Sequence, residues 1–389
     1  MRRESSYGFK DLIVASGSNE TGSQAIVIPG ARCYKNDGKG NFTKDATVFP
    51  LTVNDVSCIA SADFDNDGWI DLFIGGKAIS GSYPLCANSY LFKNVNGKFT
   101  DVTEQYAPKL SKTGLVKSAL WTDFNSDKKI DLILVGEWMP LTFFKNENNK
   151  FINITQEIGL GKTSGWWNSI SGGDFDNDGD VDFIAGNIGL NTRFNVSEKE
   201  PMCIYEEDFD NNGTIDAVMC NYINGRNTPV HDRDVLLDQV ISLKRKYINY
   251  KDFVSKGVGD YFGAEKIISA KQLEAQLFAS VYIENIGNDN FKISELPAEA
   301  QLFPINALAI SDVDDDKIND VIAVGNNLGF HSYSGSCNAG NGLILKGDGA
   351  GGFTPLNVNE TGFNVPGNAK SLVEIKSTEK EKMFLVGNN

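Results

Sequence analysis

Five stretches of this chain repeat one nine-position pattern, and each runs straight into an apolar segment. They are DFDNDGWID from Asp63, DFNSDKKID from Asp123, DFDNDGDVD from Asp174, DFDNNGTID from Asp208 and DVDDDKIND from Asp312. Positions 1, 3, 5 and 9 always bear an oxygen side chain. The segments that follow, such as LFIGG and LILVG, are short, rich in β-branched residues and usually end in glycine, which reads as a buried strand. Short apolar or small-residue runs precede the loops: VSCIASA, KSALWT, NSISGG, CIYEE and NALAIS. The repeating unit is therefore strand A, aspartate loop, strand B.

Alternate oxygens on a tight loop suit a hard cation. Calcium takes six to eight oxygens at about 2.3–2.6 Å. Side chains at positions 1, 3, 5 and 9 and the carbonyl at position 7 supply the candidate ligands. In the first loop these are Asp63, Asp65, Asp67, Trp69 and Asp71; in the second, Asp123, Asn125, Asp127, Lys129 and Asp131. The third offers Asp174, Asp176, Asp178, Asp180 and Asp182, and the fourth Asp208, Asp210, Asn212, Thr214 and Asp216. The fifth offers Asp312, Asp314, Asp316, Ile318 and Asp320. The pattern resembles the front of an EF-hand loop, but Ile74 stands where that loop needs its glutamate, and a strand follows instead of a helix. A polar turn without metal is the alternative for any one loop, since Asp and Asn favour turns for local reasons; recurrence favours the metal. Position 6 is Gly68, Gly179 and Gly213 in three loops but Lys128 and Lys317 in the others, so the loops from Asp63, Asp174 and Asp208 are expected to bind most securely.

A second motif accompanies the units: RCYKNDGKGNFTKD from Arg32, YLFKNVNGKFTDVT from Tyr90, TFFKNENNKFINIT from Thr142, SVYIENIGNDNFKI from Ser280 and LILKGDGAGGFTPL from Leu343. Each is an apolar strand, a turn and a strand opening on Phe, the signature of a hairpin. Joining the two motifs gives a four-stranded antiparallel sheet. Asp11 aligns with Asp71 in a degenerate first unit, and KSLVEIKSTEKEKMFLVGNN supplies only strands A and B at the end. Seven units of about 55 residues make residues 1–389 a single all-β domain, a seven-bladed β-propeller of four-stranded antiparallel blades.

The loops and hairpins resemble FG-GAP/VCBS repeats, the blades of integrin α-subunit propellers. YPLCANSYLFKNVNGKFTDVT, LILVGEWMPL, GWWNSI, DFDNDGDVDFIAGNIGLN and LPAEAQLFPI further resemble large bacterial FG-GAP proteins associated with ASPIC/UnbV domains. The resemblance implies an extracellular or cell-surface protein and a chain that is part of a longer multidomain one; it implies no ligand.

The net charge of −15 is largely that of the loops, which hold twenty aspartates; five bound Ca²⁺ would bring it to −5. Such a chain is not built for nucleic acid, which needs basic patches. No segment is long and apolar enough to span a membrane, and MRRESSYGFK lacks the apolar core of a signal peptide, so export would need a signal removed or upstream. Cys203 and Cys220 flank the Asp208 loop and would face one another across strands A and B, as a disulfide or as two buried thiols.

Between Asn224 and Gln276 the β alternation stops. PVHDRDVLLDQVISLKRKYINYKDF has helical spacing with Asp232 or Asp234 placed to cap, and SAKQLEAQLFAS reads as another helix. Residues 225–277 are thus expected to be a helical insertion in the Asp208 blade, more structural lid than docking element. The Asp174 blade shows no hairpin of its own before Asp208.

Propeller topology puts every A–B loop on one rim and the longer connections on the other. The second rim gathers Glu137, Trp138, Arg193, Arg226 and His331, the expected contacts for a glycan or a surface or extracellular protein partner. Trp166 and Trp167 could equally pack between blades. With two histidines and no nucleophile motif or phosphate loop, a binding or adhesion module ranks above a polysaccharide lyase-like enzyme that uses the same rim.

Overall fold

The computed structural model describes residues 9–16, 30–49, 55–254, 256–329, 335–376 and 382–389. Sheet I is β1 (Leu12–Ala15), β2 (Ala31–Asn36) and β3 (Phe42–Asp45). Sheet II is β4 (Val56–Ala62), β5 (Asp71–Gly76), β6 (Tyr90–Val95) and β7 (Lys98–Asp101). Sheet III is β8 (Leu115–Thr122), β9 (Asp131–Met139), β10 (Thr142–Glu147) and β11 (Lys150–Asn153), with β12 (Gly165–Trp166) also on β9. Sheet IV opens with β13 (Ser169–Gly173) and β14 (Asp182–Gly186).

The chain then leaves to build a separate sheet from β15 (Met202–Glu207), β16 (Asp216–Ile223), β17 (Arg226–Pro229) and β18 (Lys271–Ala275), ordered β17-β16-β15-β18. It returns as β19 (Val281–Asn285) and β20 (Phe291–Glu295), which complete sheet IV on β14. Sheet V is β21 (Ile305–Ser311), β22 (Asp320–Gly325), β23 (Leu343–Gly347) and β24 (Phe353–Leu356); sheet VI is β25 (Ala369–Lys376) with β26 (Lys382–Asn388). All pairings within these sheets are antiparallel.

The expected blade order, hairpin assignment and second helix are each corrected. Among the described residues six sheets follow in series, and the unit around Asp208 is inserted into the fourth rather than standing as a blade in the row. The hairpin from Ser280 belongs to the Asp174 sheet, because β19 pairs with β14. Linear order misleads once a whole sheet sits inside a connection. The stretch SAKQLEAQLFAS is also not a helix: Lys271–Ala275 is β18, paired to β15 from Met202↔Ala275 to Glu206↔Lys271. Leu273 and Ala275 alternate onto one apolar face, so sheet pairing overrides the helical propensity of the segment.

Successive sheets stack through their first strands, β4 against β8, β8 against β13, β13 against β21 and β21 against β25. The second strands lie between neighbouring sheets, so both faces are covered: every residue of β5 and β22 is buried. One apolar cluster fills each gap, for example Phe73, Leu91, Leu134 and Phe144 between sheets II and III, and Ile133, Phe143, Phe183 and Ile283 between III and IV. The glycine late in the second strand has a steric reason. A Cβ on Gly136 would meet the Leu115 carbonyl oxygen at 2.0 Å, and one on Gly325 that of Pro304 at 1.7 Å. Both oppose bulges in the first strand, between Val116 and Ser118 and between Ile305 and Ala307.

The inserted sheet is covered on both faces. Cys203, Tyr205, Val218 and Cys220 pack under the helices Arg233–Gln239 and Val258–Phe262 through Leu236, Leu237, Val258 and Tyr261. Met202, Ile204 and Ala275 on the other face join Trp138, Phe194 and Phe278 of the series. Asp232 caps the first helix, accepting from the Val235 N–H at 3.0 Å. Cys203 and Cys220 are direct register partners, and both are buried thiols outside any disulfide.

Candidate metal centres

The aspartate loops fold by closely similar internal hydrogen bonds. In four of them the carboxylate at position 1 accepts from the backbone at positions 5 and 6: Asp63 from Asp67 at 3.0 Å and Gly68 at 2.9 Å, Asp208 from Asn212 at 2.9 Å and Gly213 at 2.8 Å. Asp174 accepts instead from Asn177 at 2.7 Å and Gly179 at 3.2 Å. Position 5 accepts from position 7, as Asp67 does from Trp69 and Asp316 from Ile318, both at 2.9 Å. Position 6 has positive φ in all five, between 68° at Lys128 and 96° at Gly179. The lysines Lys128 and Lys317 therefore adopt the left-handed geometry that glycine adopts without strain.

The aspartate at position 9 is a buried anchor. Asp71 accepts the N–H of Phe64 at 3.2 Å and of Asn94 at 2.8 Å; Asp131 accepts those of Phe124 at 3.3 Å and Asn146 at 2.7 Å. Asp182 adds the Tyr282 hydroxyl at 2.8 Å. In the first unit Asp11 takes the same place, accepting from Asn36 at 2.9 Å, as its alignment with Asp71 requires. Burial, with backbone N–H donors opposing it, pushes Asp71 and Asp131 up to about 7 and Asp216 up to about 6.

The hairpin asparagine was read as a turn residue, but it also links sheets. Asn146 donates to the Phe64 carbonyl of the preceding sheet at 3.0 Å, and Asn285 to that of Phe124 at 2.8 Å. Gly347 replaces it in sheet V, where Asn319 donates to the Asp174 carbonyl at 2.8 Å. The position-2 Phe meets the Phe that opens the next sheet's last strand: Phe64 with Phe151 at 5.5 Å between centroids, Phe124 with Phe291 at 6.0 Å, Phe175 with Phe353 at 5.3 Å. The signal was in the sequence, as Asn and Phe recurring at matching places in four hairpins. In the inserted sheet the helices stand in for a neighbour: Phe209 stacks on Phe262 at 4.0 Å, and the Lys266 ammonium donates to the Phe209 carbonyl at 2.9 Å.

One carboxylate oxygen each from Asp63, Asp65 and Asp71 lie within 4.8 Å of one another. The same holds for Asp174, Asp176 and Asp182, for Asp208, Asp210 and Asp216, and for Asp312, Asp314 and Asp316. That span is the width of one calcium coordination sphere, and an all-oxygen, anionic set selects a hard cation. In the Asp208 loop one Asp210 oxygen accepts from Ile241 at 3.1 Å while the other is buried without a partner. The residues present therefore fit Ca²⁺. The Asp123 loop brings Asn125 to the third position, so one ligand there is a neutral amide.

The other candidate contacts divide. Trp138 is buried, 5% exposed, with its ring edge-on to Trp166 at 5.2 Å and its indole N–H donating to the Tyr83 hydroxyl at 2.5 Å. This corrects the expectation that it offers a ligand its face; the inserted sheet covers it. Glu137 is half-buried, accepting from Tyr83 at 3.3 Å and pairing with Lys117 at 2.8 Å. Arg193 is exposed and lies over the Phe194 ring at 4.8 Å, within the same cluster as Trp138 and Trp166. Arg226 is exposed at the β16–β17 turn and runs beside Gly257. Trp167 is fully buried. His331 lies outside the described residues. Among the described residues no helix is long and apolar enough to cross a membrane.

A model of FG-GAP-like repeats matches residues 8–74 and 123–185, regions that contain the loops from Asp63, Asp123 and Asp174. No curated protein matches the chain. Among solved structures it is similar to an Agrocybe aegerita lectin described as recognising non-reducing terminal N-acetylglucosamine, at 14% identity, 92% of this chain, 80% of that one and a TM-score of 0.33. It is also similar to the V. cholerae biofilm matrix protein Bap1, at 9% identity, 92% and 72% coverage and a TM-score of 0.32. A third is the Bacillus licheniformis rhamnogalacturonan lyase PL11, at 10% identity, 92% and 63% coverage and a TM-score of 0.34. Likeness at these scores bears on neither ligand nor activity.

Proposed function

We propose that this chain is a calcium-stabilised FG-GAP/VCBS β-propeller that acts outside the cell or on its surface as a binding module for a glycan or a protein. The observation that carries the reading is the repetition of one oxygen-lined loop, anchored by the same buried aspartate, along a series of stacked sheets. The role of the metal is structural: it closes the A–B hairpins, and Asp63, Asp123, Asp174, Asp208 and Asp312 open the loops that hold it. Ligand contact falls to exposed groups carried on the rigid scaffold. Glu137 with Lys117, and Arg193 on Phe194, are charged groups beside the buried Trp138 and the half-buried Trp166.

A polysaccharide-cleaving activity ranks second. Tyr83 is the proton-transfer candidate there, but burial and the adjacent Glu137 hold its hydroxyl well above the usual phenol range, against a role as base. A glycan and surface-protein array, probed with and without EDTA, tests the reading. The expected result is binding without turnover that is lost in a Glu137→Ala, Arg193→Ala double variant of unchanged melting temperature. Cleavage of a glycan, or binding indifferent to both substitutions, contradicts it.

A further inference from the structure

The residue before the hairpin asparagine, or before Gly347 in its place, is a lysine in four of the five hairpins, and its partner changes from sheet to sheet. It is Lys35, Lys93, Lys145 and Lys346, with Glu284 in sheet IV. Lys93 pairs with Asp65 and, at 3.0 Å, with Asp67, both in the loop of its own sheet. Lys346 pairs with Asp314 and, at 3.0 Å, with Asp316 in the same way. Lys35 has no acidic loop in the described part of its unit and pairs with Asp45 at 2.8 Å. Lys145 turns away from the Asp123 loop to Asp289 of the next sheet at 2.7 Å. At Glu284 the charge is reversed, and that residue pairs with Lys292 at 2.7 Å.

We infer that Lys93 and Lys346 are built-in counter-cations that close the Asp63 and Asp312 loops, so that Ca²⁺ must displace an ammonium there, while the Asp174 and Asp208 loops are open to it; in the Asp123 loop Lys129 pairs more loosely, with Asp127 at 3.4 Å. The inference rests on the calcium reading and reverses one part of the sequence ranking, which put the Asp63 loop among the tightest on the strength of Gly68. The physical case is direct. Asp65 is a shared member of the oxygen cluster and the lysine pair, with its side chain only 4% exposed, so one carboxylate serves two cations that repel. Asp314 has the same double role, in a more open setting with 40% of its side chain exposed. Among the described residues no lysine pairs with the Asp174 cluster, and the Lys266 ammonium of the Asp208 loop binds carbonyl and amide oxygens rather than its carboxylates.

The test is calorimetric Ca²⁺ titration of the whole chain as wild type, Lys93→Met, Lys346→Met and, as control, Lys145→Met, with melting temperatures in EDTA and in Ca²⁺. Lys93→Met and Lys346→Met are each expected to tighten one weak site by roughly tenfold or more. Each should also lower the melting temperature in EDTA, where the loop carboxylates lose their paired ammonium, and enlarge the rise that Ca²⁺ gives. Lys93→Arg should restore wild-type behaviour, and Lys145→Met should leave the affinities unchanged. Ca²⁺ binding by wild type with affinities unaltered in both loop variants overturns the inference and leaves the calcium reading standing. No Ca²⁺ bound by wild type or by any variant defeats both together.

Discussion

Replacing Asn146 by Ala should loosen the joint between sheets II and III. The side chain is 1% exposed, and its amide donates to the Phe64 carbonyl across the joint and to the Ile130 carbonyl within its sheet, both at 3.0 Å. Its oxygen accepts from Asn149 at 2.8 Å in the hairpin turn. Alanine leaves the buried Phe64 carbonyl without a donor, which costs about 1–3 kcal/mol, and removes two less buried bonds at about 0.5–1.5 kcal/mol each. The expected loss is about 4 kcal/mol in all. Asn285→Ala, which strips the Phe124 and Val181 carbonyls of donors, should lose a similar amount. The exposed turn residue Asn290, whose amide donates to Gly287 and Asn288, provides the control and should stay within about 0.5 kcal/mol of wild type. The assay is denaturant unfolding in saturating Ca²⁺, comparing transition midpoints. If Asn146→Ala and Asn290→Ala shift the midpoint equally, the asparagines do not hold the sheets together.

Gly136→Ala forces a Cβ onto the Leu115 carbonyl and should cost several kcal/mol, whereas Gly68→Ala meets open space and should cost about 1 kcal/mol, as the lysines already at position 6 imply; thermal melts of the two separate steric from dihedral cost. Phe262→Ala removes the ring stacked on Phe209 and should expose the helices to limited proteolysis within residues 232–270, before the melting temperature of the series falls. Without metal, Asp71, Asp131 and Asp216 have folded pKa values raised to about 7, 7 and 6, so they favour the fold fully below about pH 4 and lose that contribution as pH rises through 6–7. Ca²⁺ needs the carboxylates ionised, so binding at pH 6 should release protons and binding at pH 8 almost none; titration in buffers of different ionisation enthalpy measures this, and equal release at both pH values contradicts it.

The loops, the hairpins and the antiparallel sheets were legible because each depends on local residues: oxygens at fixed spacing, a positive-φ position, strand runs bounded by turns. The alignment of Asp11 with Asp71 held for the same reason. What misled was connectivity. Nothing local marks that the chain leaves sheet IV after Gly186 and returns at Val281, so the hairpin at Ser280 was given to its nearest loop rather than to its partner strand. Trp138 was misjudged because its burial depends on the inserted sheet, which only the tertiary arrangement brings over it. The part played by Lys93 was hidden too: a lysine beside an asparagine in a turn reads as solvent-facing until the fold sets it against Asp65.

The most direct test of the account is the melting temperature of the EDTA-treated chain as Ca²⁺ is restored. Each open loop bound at a hundredfold excess over its dissociation constant contributes about 2.7 kcal/mol. The account predicts a steep rise with Ca²⁺, reduced in Asp174→Asn and Asp208→Asn, whose carboxylates have no lysine partner among the described residues. A melting temperature that is the same in EDTA and in millimolar Ca²⁺ would contradict it.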